Sequence, residues 1–216
     1  MVFAPHFHCL DNKPTRPWAQ LFLAHGAGAG WDHPWLNTMA QHLSEQGVWV
    51  RRLEFPYAQQ MRETGRRRPP QPVAQLQHYF AELLSLQREE NLPCFVGGKS
   101  MGGRVAAILA AAEASAAVRG VVAFGYPFHP VKKTESLRLA PLQQSKAPVL
   151  VVQGTRDAFG AQDEVLGYAL NGNVELVWLE DGDHDFKPRK ASGLTQPELM
   201  KQAAFAAVSF MRSQVR

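Results

Sequence analysis

The stretch CFVGGKSMGG at residues 94–103 passes from an apolar strand into a helix through a single serine. Gly98 and Gly102 flank Ser100 in a G-x-S-x-G pattern, which is typical of a turn too tight to accept side chains beside the serine. Such a turn exposes the hydroxyl above the N-terminus of the following helix. Because the pattern also arises by chance, the surrounding sequence has to support it.

Short apolar runs alternate with helical patterns along the chain. The predicted strands are Gln20–His25, Val48–Glu54, Cys94–Gly97, Gly120–Gly125, Val149–Gln153 and Glu175–Leu179. The predicted helices are Pro34–Gln46, Val73–Glu90, Ser100–Ala114, Ala161–Leu170 and Gln196–Ser213. Most of the strands are continuous apolar runs, as in strands that are covered on both faces. We therefore predict an α/β fold with a doubly wound, mostly parallel sheet of six to seven strands, flanked by helices and without a large cap domain.

Three local features refine this prediction. Thr195 and Glu198 have the spacing of a capping box for the last helix. The segment before Pro17 is a candidate for an additional edge strand. Residues 61–72, rich in Pro and Arg, are predicted to form a loop.

The composition indicates a soluble globular protein. The chain has 216 residues, 45% of them apolar, and a formal net charge of +4, so we expect one domain spanning residues 1–216. No apolar run is long enough to span a membrane, and the first residues lack the order of a signal peptide. Two cysteines, Cys9 and Cys94, are too few for a disulfide framework, which favours a cytoplasmic location.

The positive charges form three short clusters, Arg51-Arg52, Arg66–Arg68 and Lys132-Lys133. No aromatic residues are interleaved with them, so solvated loops are favoured over a nucleic-acid site. The cluster Arg66–Arg68 follows the second predicted strand. It is therefore a candidate for attracting an anionic substrate such as an acyl-CoA.

Polar residues follow several predicted strands at the point where ligands bind in parallel sheets. Ser100 follows the third strand, Asp157 the fifth and His184 the sixth. Ser100 is the candidate nucleophile, since a serine hydroxyl needs an adjacent base to remove its proton. His184 is the candidate base, and Asp157 would hold the other ring nitrogen. The chain order Ser, Asp, His is the one found in α/β hydrolases.

Two backbone amides are candidates for an oxyanion hole. The glycine-rich loop at residues 25–30 follows the first strand, and the N–H groups of Ala27 and Met101 are positioned to stabilise a developing negative charge. Lys99 and Tyr126, at the ends of the third and fourth strands, are candidate substrate-binding residues. His25 is interpreted as a structural side chain behind the loop.

Other interpretations remain open at this stage. Ser100 could be an ordinary helix N-cap, and Asp157 a turn residue. Asp181, Asp183 and Asp185 are rival partners for His184. The run Asp183-His184-Asp185 resembles a fragment of a metal site, but it has no Cys or His partner at ligand spacing, so no metal is expected. The glycines at 26–30 fit a dinucleotide fingerprint poorly.

The chain resembles the α/β-hydrolase-fold superfamily from about Gln20 to the final helix. The matching segments are residues 25–28 (HGAG), 98–103 (GKSMGG), 154–157 (GTRD) and 182–184 (GDH). Together with GYPFHP at 125–130, they are similar to a compact, lidless group that includes testis-expressed protein 30 and NSL-complex subunit 3. Dienelactone hydrolases look similar too, but have cysteine where this chain has Ser100.

The resemblance implies hydrolysis of a small ester, thioester or related acyl bond by Ser100, Asp157 and His184, without a cofactor. The expected partner is a small acyl substrate, not a nucleic acid or a membrane, and the expected state is a monomer or small homo-oligomer. Two other classes remain open: a catalytically silent scaffold protein, and a non-hydrolytic enzyme such as a perhydrolase or lyase on the same fold.

Overall fold

The computed structural model describes residues 4–112 and 118–215. The strands in this part of the chain are β1 (Cys9–Asn12), β2 (Ala19–Ala24), β3 (Val48–Leu53), β4 (Cys94–Lys99), β5 (Val118–Phe124), β6 (Val149–Gly154) and β7 (Val174–Leu179). The α-helices are α1 (Pro34–Glu45), α2 (Pro56–Thr64), α3 (Val73–Gln87), α4 (Met101–Ala111), α5 (Ala140–Gln143), α6 (Gln162–Val165) and α7 (Gln196–Ser213).

The seven strands form one sheet in the order β1-β3-β2-β4-β5-β6-β7. Only β1 is antiparallel to its neighbour in this sheet, which confirms the predicted mostly parallel fold and the additional edge strand. The chain passes from β2 to β3 on one side and then returns to β4 on the other. This change of direction opens a crevice at the carboxyl ends of β2 and β4, where such sheets bind ligands.

Helices cover both faces of the sheet. On one face, α2 to α6 pack with strand residues such as Phe22 and Val96 in one buried cluster. On the other face, α1 and α7 pack with residues such as Leu21 and Phe95 in a second cluster. Successive residues of one strand thus enter different clusters, which explains why the central strands are mostly apolar and do not alternate with polar residues.

Two helical predictions are wrong. Helix α2 lies partly within the predicted loop at 61–72; it begins at Pro56 and ends before Gly65, which has a φ of 67°. A proline in the first turn and a left-handed glycine after the last are ordinary helix boundaries. The predicted helix Ala161–Leu170 is only the single turn α6, which ends before Gly167, a poor helix former.

Other boundaries agree more closely with the sequence. Helix α7 has the predicted bounds, and the capping box of Thr195 and Glu198 is confirmed. Helix α3 ends at Gln87, three residues before its predicted end. Residues 113 and 114 of the predicted helix Ser100–Ala114 lie outside the described residues.

Within residues 4–112 and 118–215, no helix has the length and apolar character that a membrane crossing requires.

Candidate active site

Ser100 lies at the turn between β4 and α4 in a backbone conformation that L-residues rarely adopt, with a φ of 53° and a ψ of −116°. Such a conformation costs about 1–3 kcal/mol, which the surrounding structure has to offset. The N–H of Ser100 donates to the carbonyl of Phe124 at 2.9 Å, which anchors the turn to β5. Because its side chain makes no capping bond to α4, Ser100 is not an ordinary N-cap.

The glycines on both sides of the serine are sterically required, as predicted. A Cβ atom on Gly98 would lie 2.5 Å from the carbonyl carbon of Gly102, and one on Gly102 would lie 2.4 Å from the carbonyl oxygen of Ala24. Both distances are far below van der Waals contact. The turn can therefore approach β2 only because these positions lack side chains.

His184 follows β7 and contacts Asp157, which follows β6. Its Nδ1 lies 2.8 Å from Oδ2 of Asp157, and the other carboxylate oxygen accepts the N–H of Phe159 at 2.9 Å. Asp157 is fully buried. The ring of Phe159 packs against the imidazole, with ring centroids 4.3 Å apart. The carboxylate and this aromatic ring together fix the orientation of His184.

The three rival acids near His184 bind other groups. Asp181 binds Arg189 and the backbone N–H of that residue. Asp183 accepts two backbone N–H groups of its own loop, both at 2.9 Å. Asp185 forms an ion pair with Lys99, with 3.2 Å between Oδ1 and Nζ. The sequence could not choose among these acids, whereas the geometry brings only Asp157 to Nδ1 of His184.

A cavity of about 570 Å³ lies at the carboxyl edge of the sheet. Ser100 and His184 both line it, and so do the two residues of the predicted oxyanion hole, Ala27 and Met101. The glycine-rich loop passes close to the serine, since a Cβ atom on Gly26 would lie 3.6 Å from the Cβ of Ser100. The N–H of Met101 belongs to the first turn of α4 and has no acceptor within the helix. The crevice thus brings together a hydroxyl, an imidazole and backbone amides.

His25 is fully buried behind the glycine-rich loop, as the sequence predicts. Its Nε2 accepts the N–H of Phe55 at 3.0 Å, so Nδ1 carries the proton and donates to the carbonyl of Gly26 at 2.9 Å. Burial lowers the pKa of His25 to about 4, so the ring is neutral at physiological pH. It joins β3 to the loop that carries Ala27.

We expect His25 to make the free energy of unfolding depend on pH. In the unfolded chain the imidazole takes up a proton near pH 6.5, whereas in the folded protein it resists protonation until about pH 4. Acidification from 6.5 towards 4 therefore favours the unfolded state by about 3 kcal/mol. Urea unfolding of the wild type and His25→Gln across this range should show a smaller loss in the variant. Parallel pH profiles would contradict this assignment.

Lys99 lines the cavity, but its ammonium group binds protein atoms. Nζ donates to the carbonyl oxygen of His184 at 2.7 Å and pairs with Asp185. Burial lowers the pKa of Lys99, and the charge of Asp185 opposes this effect. Lys99 thus ties the end of β4 to the loop that carries His184. Its predicted contact with substrate stays a prediction.

Tyr126 is fully buried and is not among the residues that line the cavity. Its hydroxyl donates to the carbonyl of Arg138 at 2.8 Å, so it supports the link between β5 and β6 from inside. The neighbouring Pro127 lines the cavity in its place. The structure therefore does not bring the side chain of Tyr126 to Ser100.

The loop with the cluster Arg66–Arg68 is exposed, and none of the three arginines lines the cavity. Pro70 and Gln71 of the same loop do line it, so the cluster lies a few residues along the chain from the cavity. The link between β5 and β6 contains only the short helix α5.

Several residues that line the cavity were missed from the sequence. Trp35, Leu36, Val73 and Phe159 supply apolar surface, and Arg104 and Arg138 supply charge. They come from α1, α3, α4 and two loops, so no sequence pattern unites them. Arg104 had the best signal, since it is the only charged residue of α4 and follows Ser100 by one helical turn.

Metal binding gains no support from this edge. Within residues 4–112 and 118–215, no three His, Cys, Asp or Glu side chains converge as a metal site would require.

Known proteins match this chain over most of its length. A family model described as an alpha/beta hydrolase domain matches residues 17–212. Est1E from Butyrivibrio proteoclasticus is 13% identical with a TM-score of 0.70, over 95% of this chain and 93% of that one. An alpha-beta serine hydrolase homologue from Coxiella burnetii is 18% identical with a TM-score of 0.68, over 91% of this chain and 89% of that one.

A dienelactone hydrolase from Anabaena variabilis is also similar, with 22% identity and a TM-score of 0.67, over 94% of this chain and 89% of that one. At such identities these likenesses show the fold alone. The closer resemblance to testis-expressed protein 30 and NSL-complex subunit 3 stays a prediction from the sequence motifs.

Proposed function

Since this chain belongs to the α/β-hydrolase family, we propose that it is a serine hydrolase that cleaves a small ester or thioester. Family membership and the hydrolases among its structural neighbours support a hydrolase. The observation that carries the proposal is the hydrogen bond between His184 and Asp157, formed beside a cavity that Ser100 also lines. This arrangement supports a base-activated hydroxyl, because the carboxylate orients the imidazole beside the cavity that the serine lines.

In the first half of the proposed reaction, the Oγ of Ser100 bonds to the carbonyl carbon while its proton passes to Nε2 of His184. The N–H groups of Ala27 and Met101 hold the resulting oxyanion. The bond to the leaving group then breaks, and His184 returns the proton to the departing oxygen or sulfur. Asp157 stabilises the imidazolium that exists between these two transfers.

In the second half, water attacks the acyl-enzyme and gives a proton to His184. The bond between the acyl carbon and Oγ breaks, and the serine recovers its proton as the acid leaves. The net reaction consumes one water for each ester and needs no cofactor. Each of these steps uses residues at the carboxyl edge of the sheet.

The environment of the proposed enzyme follows from sequence features. We place it in the cytoplasm because of its low cysteine content, as a monomer or small homo-oligomer that acts on a soluble acyl substrate. Both thiols are free, with Cys94 buried and Cys9 half-buried. Burial raises the pKa of each to about 12, so both are poor rival nucleophiles.

A panel of p-nitrophenyl esters and acyl thioesters of increasing chain length tests the proposal. We expect turnover of at least one short member, with an early burst of product if hydrolysis of the acyl-enzyme is the slower half. Rates no higher than those of the Ser100→Ala variant across the whole panel would contradict it. Labelling of Ser100 without any ester turnover would instead favour a non-hydrolytic enzyme on the same fold.

A further inference from the structure

Two arginines, Arg104 and Arg138, line the cavity in addition to the proposed catalytic residues. Arg104 comes from α4, and its backbone N–H donates to the carbonyl of Ser100 at 3.1 Å. Arg138 comes from the link between β5 and α5. Both side chains are half-buried. They therefore share one partly desolvated space with Ser100, where charge interactions are stronger than in bulk water.

Neither arginine is neutralised by a carboxylate within the part of the chain that the structure describes. Among the described residues, Asp185 is the only acid that lines the cavity, and it pairs with Lys99. The Nε of Arg104 is buried and has no hydrogen-bond partner among the described residues. No protein acceptor therefore offsets the desolvation of this part of the Arg104 side chain.

The neighbouring groups hold the two arginines without supplying negative charge. The backbone N–H of Arg138 donates to the carbonyl of Phe128 at 2.8 Å, and its carbonyl accepts the hydroxyl of Tyr126. Burial holds the pKa of Tyr126 above its ordinary value, so its hydroxyl stays neutral. Burial, and to a smaller extent the charge of Arg104, lower the pKa of Arg138. The positive charges of these two arginines repel each other, and a bound anion would relieve this repulsion.

We infer that Arg104 and Arg138 form a subsite for an anionic group of the substrate, so that the preferred ester carries a carboxylate or a similar anion. This inference rests on the proposed function, since it adds a substrate class to the same site. Guanidinium groups suit the role because their planar donors match carboxylates in pairs. The apolar residues Trp35, Val73 and Phe159 would line the rest of the acyl chain.

Two pairs of esters place an anion at different positions relative to the reacting carbonyl. In glutarate esters the carboxylate lies on the acyl group, three methylene groups from that carbonyl. The test compares p-nitrophenyl hemiglutarate with its neutral methyl ester, p-nitrophenyl methyl glutarate. A second pair, 4-acetoxybenzoate and its methyl ester, places the anion on the leaving group instead of the acyl group.

We expect the wild type to prefer the anionic member of at least one pair by about tenfold or more in kcat/KM. Arg104→Met and Arg138→Met should each lower that preference by a similar factor. Arg119→Met is the matched control, because Arg119 is exposed near the amino end of β5, away from the cavity, and should keep the preference. Equal rates for both members of both pairs, or a preference that survives both substitutions, would overturn the inference.

A measurement without turnover separates this inference from the proposed function. Glutarate binding to the wild type and to Arg104→Met is followed by saturation-transfer NMR. If no ester is hydrolysed, the proposed function fails, but glutarate binding that disappears in Arg104→Met still supports the anion subsite. If neutral esters are hydrolysed and glutarate does not bind, the hydrolase stands and the subsite is wrong.

Discussion

Replacement of Ser100 by alanine is expected to lower kcat by about a millionfold, which is the loss seen in a comparable triad enzyme. The substitution removes the only hydroxyl proposed to form the acyl-enzyme. Alanine keeps the Cβ atom and therefore the same backbone strain at a φ of 53°. The fold and the melting temperature should change little. Steady-state hydrolysis of the best p-nitrophenyl ester, measured beside thermal unfolding, checks both expectations.

Ser85→Ala is a suitable control for this experiment. Ser85 is an exposed serine of α3 whose hydroxyl donates to the carbonyl of Glu82. Its removal should leave ester hydrolysis at the wild-type rate. If the Ser100→Ala protein folds normally and retains more than a tenth of the wild-type activity, the assignment of Ser100 is wrong.

Replacement of Asp157 by asparagine is expected to cost about 10⁴-fold in kcat, again by comparison with a triad enzyme. The carboxylate accepts the Nδ1 proton of His184, which leaves Nε2 free to take the proton of Ser100. An amide donor at this position would favour the opposite tautomer, with the proton on Nε2. Esterase assays of the variant, together with its melting temperature, separate this effect from unfolding.

Asp183→Asn provides the matched control within the loop that carries His184. Oδ1 of Asp183 accepts the N–H groups of Asp185 and Lys187, and an asparagine oxygen can accept both. We expect this variant to lose less than tenfold in kcat. Equal losses in Asp157→Asn and Asp183→Asn would mean that the loop responds to lost charge in general, and not to the orientation of His184.

Most of the sheet could be predicted because its strands are buried on both faces. The central strands, from Val48–Leu53 to Val149–Gly154, are mostly apolar, and each was located to within about two residues. Helix α2 was missed because only Tyr57, Ala58 and Gln59 are buried on it, so its sequence has no clear apolar period. The prediction of a helix at Ala161–Leu170 is wrong because the apolar residues of this segment do not all belong to one helix. Some pack against the core from the single turn of α6 and others from the loop that follows it.

The parts of the candidate site that the topology of the sheet determines could be predicted from the sequence. Ser100, Asp157 and His184 follow strands whose carboxyl ends share one edge, so their approach follows from the parallel sheet. The choice of Asp157 over Asp181, Asp183 and Asp185 depends on where each carboxylate points, which depends on loop contacts such as Arg189 with Asp181.

The side chains around the site were predicted less well than the proposed catalytic residues. Tyr126 follows a strand like the others, yet its ring turns into the core and its hydroxyl binds the carbonyl of Arg138. Lys99 reaches the loop of His184, 85 residues away in the chain. Such contacts depend on the packing of distant segments, and no local sequence pattern encodes them.

The central claim is that Ser100 is an activated nucleophile, and a fluorophosphonate probe tests it most directly. The intact wild-type protein is treated with the probe, digested, and analysed by mass spectrometry to locate the modified residue. We predict one stoichiometric adduct on Ser100, with a much slower reaction in Asp157→Asn. A folded protein that remains unlabelled, or that carries the adduct on another residue, would contradict the claim.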